Sequence, residues 1–108
     1  MSVVVIQGKL IDDERSFHAV FAEALGFPGF YGANFDAWID CLGYLDEPEA
    51  GMTTVHVESG AQLTFHVMDS DHMKKACPDV WVSFLECAAF VNWRRVNDGG
   101  SALLVVAA

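Results

Sequence analysis

Basic residues are scarce in this chain. Lysine and arginine together number six, against 15 aspartates and glutamates, so the formal net charge of the 108 residues is −9 at pH 7. Such a surface repels nucleic-acid phosphates, and the basic pairs at 74–75 and 94–95 are too small to form a nucleic-acid-binding patch. The sequence also lacks the run of roughly 18 apolar residues that a membrane-spanning helix needs. We therefore expect no nucleic acid and no membrane as partner.

Cysteine is also rare, and its spacing is irregular. An odd number of cysteines, Cys41, Cys77 and Cys87, is a poor disulfide framework, so we expect buried thiols in a reducing compartment. The short apolar stretch near the N-terminus has no basic residues before it and does not match a secretory signal peptide. These features predict a cytoplasmic location.

Motifs for metal binding, cofactor binding and catalysis are missing. No closely spaced ligand pair such as Cys-x-x-Cys or His-x-x-x-His occurs among the cysteines and the four histidines, His18, His56, His66 and His72. Gly99-Gly100 precedes a predicted strand, so the pair indicates a turn and no phosphate-binding loop. We expect no metal, no cofactor and no enzymatic activity.

The hydrophobic residues, 53% of the chain, are enough for one folded domain over residues 1–108 without disulfides or metals. Their periodicity and the flanking turn residues predict eight elements in the order β-α-α-β-β-α-α-β. Long β-α-β connections favour parallel pairing, so we expect an α/β fold in which helices pack on a small, mainly parallel sheet that carries an added β-hairpin. The predicted elements are a strand at 3–7, a helix from a cap at Asp12 or Asp13 to Gly26, a helix from Ala33 or Asn34 to about Gly43, hairpin strands at 52–58 and 63–67, a short helix from Asp69 or Ser70 to Cys77, a helix from Pro78 to about Val96, and a strand at 102–107.

The predicted helix at 78–96 is apolar nearly all round. A helix of this kind is normally covered by other elements, so we expect most of its sides to be buried. Its apolar residues are Val80, Trp81, Val82, Phe84, Leu85, Ala88, Ala89, Phe90, Val91 and Trp93.

The acidic residues are concentrated in one part of the chain. Residues 12–49 hold nine of the 15 acids and a single base, Arg15. Asp36 and Asp40 lie four residues apart on the predicted second helix, which places them on one face, and its apolar residues are expected to form the opposite, buried stripe. Two like charges at that spacing cost an isolated helix about 0.2–0.5 kcal/mol. Charge alone favours a solvated face that only aids solubility, and the alternative is a surface that attracts and steers a basic protein.

The segment around these acids resembles the signature of the barstar family. Residues 31–37 read Tyr-Gly-Ala-Asn-Phe-Asp-Ala, followed by Asp-Cys-Leu at 40–42, and the family pattern is Tyr-Gly-x-Asn-x-Asp-Ala-x-x-Asp-Cys-Leu. Pro28 also matches, and Gly32 fits a tight bend. The resemblance is strong over residues 3–45 and weaker over 78–107, whereas 52–77 differs from the best-known members.

The resemblance implies an inhibitor or immunity protein that inserts a loop and the second helix into the active-site cleft of a basic ribonuclease. Asp40 matches the family's key aspartate, which occupies a substrate phosphate position among arginines and a histidine, and Asp36 matches a second contacting acid. The other residues that the resemblance assigns to partner binding are Phe30, Tyr31, Gly32 and Asn34.

Two features depart from the family pattern. Ile39 stands immediately before Asp40, where the familiar inhibitor has tryptophan, and Trp38 lies one position earlier. Arg94 and Arg95 fall near a position at which that inhibitor offers a glutamate to the ribonuclease. These changes leave open a related basic toxin as the partner. They also leave open a barstar-like interaction domain without ribonuclease inhibition, acting as a homodimer or a regulatory subunit.

Overall fold

A three-stranded parallel sheet organises the computed structural model, which describes residues 2–108. Its strands are β1 (Ser2–Gln7), β2 (Leu63–Met68) and β3 (Leu104–Ala107), in the spatial order β1-β2-β3. Along β2, Leu63, Phe65 and Val67 are buried, whereas Val3 and Val5 of β1 point to the other face and are about half exposed. The sheet therefore has one covered face and one open face, and the predicted α/β class is confirmed.

Four helices accompany the sheet: α1 (Glu14–Leu25), α2 (Phe35–Leu42), α3 (Ser70–Ala76) and α4 (Pro78–Asn97). Two short 3-10 helices lie at Gly8–Leu10 and Pro48–Ala50. Asp13 begins α1 with a reciprocal cap, since its carboxylate accepts the Ser16 backbone N–H at 2.8 Å. Gly26 ends α1 at a φ of +65°, which glycine adopts without a Cβ clash. The cap expected at Asp12 or Asp13 is therefore Asp13, and the helix end predicted at Gly26 is confirmed. No helix within residues 2–108 is long and apolar enough to cross a membrane.

The predicted β-hairpin at 52–67 is wrong in its first half. Residues 52–58 form no strand, because parallel pairing with β1 and β3 occupies both edges of β2. The segment instead lies against the ends of other elements. The Thr54 N–H donates to the carbonyl of Leu25 at 2.9 Å, and the Val57 N–H donates to that of Leu45 at 3.0 Å. The alternating apolar residues that predicted a strand include Val57. This side chain is buried in the core, although no strand pairs with its segment.

The prediction that α4 is covered on most sides is also wrong. Only Phe84, Ala88 and Val91 are buried along it, and α4 contacts α2, α3 and β3. Among residues 2–108, no element covers the opposite side of the helix. Its large exposed apolar residues are Val82, Leu85, Phe90, Trp93 and Val96.

Aromatic rings form the centre of the core. Trp38 of α2 is fully buried, and its ring centroid lies 5.8 Å from that of Phe21 and 6.0 Å from that of Phe84. Phe17 and Phe65 lie at 6.3 and 6.2 Å. The Trp38 indole N–H has no hydrogen-bond partner among the described residues, which reduces the net gain from burying this side chain. The core thus fixes which side of α2 faces inward.

We expect Trp38→Ala to lower the free energy of unfolding by about 3–5 kcal/mol, because it leaves a cavity among four aromatic rings. Trp38→Phe should cost roughly half of that or less, since it fills most of the space and removes the unpaired N–H. Urea denaturation of both variants measures the difference. Unchanged stability of Trp38→Ala would contradict the assignment of the buried face.

Candidate functional site

The loop that precedes α2 exposes the aromatic side chain of Phe30 to solvent and keeps that of Tyr31 partly buried. The Tyr31 N–H donates to the carbonyl of Pro28 at 2.9 Å, which tightens the turn, and Phe30 at its tip is 76% exposed. The bend expected at Gly32 lies one residue later, because Ala33 has the left-handed backbone with a φ of +53°. A Cβ at Gly32 would lie 3.1 Å from the side-chain nitrogen of Asn34, so a larger residue here would require the capping side chain of Asn34 to shift.

A chain of three polar side chains anchors this loop to α1. The Tyr31 hydroxyl is hydrogen-bonded to Nδ1 of His18, and Nε2 of His18 lies 3.2 Å from the carboxylate of Glu14. Burial lowers the pKa of His18 and raises that of Tyr31, so both groups are neutral at pH 7. In the tautomer that satisfies both contacts, the Tyr31 hydroxyl donates to His18, and His18 donates to Glu14. Tyr31 therefore fixes the loop through its hydroxyl.

The sequence did not predict that His18 anchors the loop through Tyr31. It is only 2% exposed and packs edge-on against Phe17 and Phe35. The spacing of four residues between Glu14 and His18 was the available signal. Its second partner, Tyr31, lies in a different element and could not be read from spacing.

Asn34 caps the start of α2, and both acids of this helix lie on its solvent side. Its side-chain oxygen accepts the Ala37 N–H at 2.8 Å, which caps the helix. Asp36 lies in the first turn, where the helix dipole favours a negative charge, and Asp40 follows one turn later. Both are exposed, and within residues 2–108 neither forms an ion pair. The predicted exposure of the two carboxylates is confirmed, and their role in binding remains to be tested.

A cleft of about 410 Å³ extends from Asp40 between the C-terminal ends of α2 and α4. The carboxylates of Glu47 and Asp98 line it together with Asp40, and Tyr44 contributes an exposed ring. Arg94 is the exposed cation among the lining residues. The surface around Asp40 therefore stays predominantly acidic.

Arg95, the second arginine that departs from the family pattern, is partly buried and paired within the chain. Its guanidinium contacts both carboxylate oxygens of Asp46 at 2.6 and 2.8 Å and donates to the carbonyl of Gly43 at 2.6 Å. The hydrogen bonds and charge of Arg95 lower the pKa of Asp46, and Asp46 in turn raises the pKa of Arg95. This arrangement ties α4 to the end of α2 and leaves Arg95 with little charge to offer a partner.

The thiols and histidines form no reactive or metal-binding centre within residues 2–108. All three cysteines are free, and burial raises the pKa of Cys41 to about 11, so its thiol stays protonated at neutral pH. Groups of three or more possible metal ligands do not occur among the described residues. What the site offers chemically is a pair of unpaired carboxylates beside an exposed aromatic ring. Such a surface can bind guanidinium groups.

We expect Asp46→Asn to lower stability by about 1–3 kcal/mol at pH 7, because it leaves the half-buried Arg95 without its counter-charge. The pKa of Asp46 is lowered from 3.8 in the folded state, so this stabilisation is fully present above pH 4 and is lost as the pH falls below that value. Urea titrations at a series of pH values should show the gap between wild type and Asp46→Asn closing in that acid window. A gap that is independent of pH would contradict the ion pair.

Comparison with known proteins supports the resemblance seen in residues 31–42. A model of the family described as Barstar (barnase inhibitor) matches residues 1–106, which include the loop, α2 and nearly all of the sheet. No curated protein matches the chain. Because the family match covers nearly the whole sequence, the chain belongs to the barstar family.

Proposed function

We propose that this protein is an inhibitor or immunity protein that blocks the active site of a basic ribonuclease, or of a related basic toxin, with the 28–34 loop and α2. The observation that carries the proposal is the pair of exposed, unpaired carboxylates, Asp36 and Asp40, on a helix whose other side is locked into the core. The family description, which names a barnase inhibitor, supports the same function.

Electrostatic complementarity explains why two like charges stand one helical turn apart. In the free protein this spacing is unfavourable by about 0.2–0.5 kcal/mol. A ribonuclease active site must bind phosphates with arginines and other cations, and a carboxylate can accept two parallel hydrogen bonds from one guanidinium. We assign Asp40 to the place that a substrate phosphate would occupy, and Asp36 to a neighbouring cation.

Rigidity of the site adds to affinity. The loop is anchored through Tyr31 and His18, and the end of α2 is tied down by Arg95, so little conformational freedom is lost on binding. Phe30 supplies an exposed aromatic surface next to the acids, and aromatic side chains are common among the residues that dominate binding energy. Gly32 and Asn34 act through the shape of the loop.

The inhibitor is proposed to act in the cytoplasm. Its three cysteines are free, and two of them are buried, which suits a reducing compartment. An inhibitor located there would protect cellular RNA from a ribonuclease before that enzyme leaves the cell or after it enters.

Asp40→Ala should remove inhibition while leaving stability within about 0.5 kcal/mol, because the side chain is exposed and unpaired in the free protein. We expect binding to weaken by about 2–5 kcal/mol, since the partner's cations are left buried without their counter-charge. Asp36→Ala should weaken binding less. RNA hydrolysis by barnase, and by any ribonuclease activity that the immobilised wild-type chain captures from lysate or culture medium, is the assay.

Glu23→Ala is the matched control, because Glu23 is an exposed acid on α1 outside the proposed site and its loss changes the net charge equally. Its inhibition should equal that of wild type. Normal inhibition by Asp40→Ala would disprove the assignment of the site. A wild-type chain that inhibits neither barnase nor a captured ribonuclease would disprove the function.

The rate of association with the ribonuclease should depend strongly on salt. Residues 12–49 carry most of the acidic charge and would steer a basic partner toward α2. We expect the association rate constant to fall about 10-fold or more between roughly 50 and 500 mM NaCl in stopped-flow measurements. A partner whose association is insensitive to salt would instead favour the second interpretation, an interaction domain that works as a homodimer or regulatory subunit through apolar contacts.

A further inference from the structure

We propose that Arg94 is a specificity-determining residue of the partner-binding surface, and that it pairs with a carboxylate that the partner presents beside the cation bound by Asp40. This inference rests on the proposed function. It adds the requirement for an acidic group on the partner to a surface that otherwise suits cations.

The cleft between α2 and α4 continues the acidic surface, and most of it suits a cation. Its volume is about 410 Å³, and the carboxylates of Asp40, Glu47 and Asp98 line it. Gly43 and Asp98, at which α2 and α4 end, both lie in its wall, so the negative ends of two helix dipoles add to these carboxylates. We therefore expect the partner side chain that enters next to Asp40 to be arginine or lysine.

Arg94 is the exception among the residues that line this cleft. Its side chain is exposed, and within residues 2–108 it forms no ion pair, although three carboxylates line the same cleft. Arg95, by contrast, is neutralised by Asp46. A full positive charge thus remains on the α4 side of the cleft, whereas Asp40 lies on the α2 side.

Two features keep the Arg94 guanidinium away from the neighbouring acids. It lies 5.8 Å from the ring centroid of Phe90, one turn earlier on α4, and a cation is attracted to the face of such a ring. Asp98 stands four residues later, and a base that precedes an acid is the weaker order for such a pair on a helix. The guanidinium is therefore available to a group outside this chain.

Charge complementarity identifies the group that Arg94 takes. The proposed partner is basic, and a partner cation placed opposite Arg94 would oppose binding, since like charges brought together in a contact are strongly unfavourable. A carboxylate opposite Arg94 removes this repulsion and can accept two parallel hydrogen bonds from the guanidinium. The partner surface that fits the cleft thus has a cation for Asp40 and an acidic side chain next to that cation.

This pairing predicts the opposite of what net charge alone predicts. Substitution of Arg94 makes the chain more acidic, so a basic partner should be steered to it at least as fast as before. The complex should nevertheless be weaker, because the partner's carboxylate is left without its counter-charge and dissociation becomes faster.

Stopped-flow measurements of association and dissociation provide the test, with the enzyme that the wild-type chain inhibits, either barnase or the captured ribonuclease. Arg94→Ala should raise the dissociation rate constant about 10-fold and Arg94→Glu about 100-fold or more, while the association rate constant does not fall. Lys75→Glu is the matched control, because Lys75 is an exposed base on α3 outside the cleft and its substitution changes the net charge as Arg94→Glu does. Its dissociation rate constant should equal that of wild type.

Circular dichroism of each variant confirms that it is folded. Dissociation of Arg94→Ala that is as slow as that of wild type would overturn the role of Arg94 and leave the proposed function intact. An increase in the dissociation rate constant of Lys75→Glu as large as that of Arg94→Glu would also overturn it, since the effect would then come from net charge. A wild-type chain that inhibits neither enzyme would overturn both proposals.

Discussion

The burial of Trp38 is the constraint on which the rest of the site depends. Its ring occupies the centre of the aromatic core, between α1, β2 and α4. Asp36 and Asp40 stand two residues before and two residues after it, which corresponds to a rotation of about 200° around the helix in either direction. Any arrangement that buries Trp38 therefore turns both carboxylates outward. Ile39, at the next position, is partly buried against the same core, so its packing adds to that of Trp38 in fixing the orientation of α2.

Polar contacts at the two ends of α2 complete what the core begins. At the N-terminal end, Tyr31 is bonded to a buried histidine, and at the C-terminal end Arg95 is bonded to Gly43 and Asp46. Both contacts are partly buried, and hydrogen bonds and ion pairs in such an environment are stronger than at a fully exposed surface. Arg95 carries a charge that would repel a cationic partner. Because Asp46 neutralises this charge within the chain, Arg95 supports the acidic surface.

The parts of the structure that follow from neighbouring residues could be predicted from the sequence. Three such features depend only on residues within one or two helical turns. They are the cap at Asp13, the helix end at Gly26 and the exposure of Asp36 and Asp40. The strand predicted at 52–58 failed because alternation does not reveal whether a sheet edge is free, and β1 and β3 already occupy both edges of β2. The contacts of Tyr31 with His18 and of Arg95 with Asp46 join residues 13 and 49 positions apart, beyond the reach of local patterns.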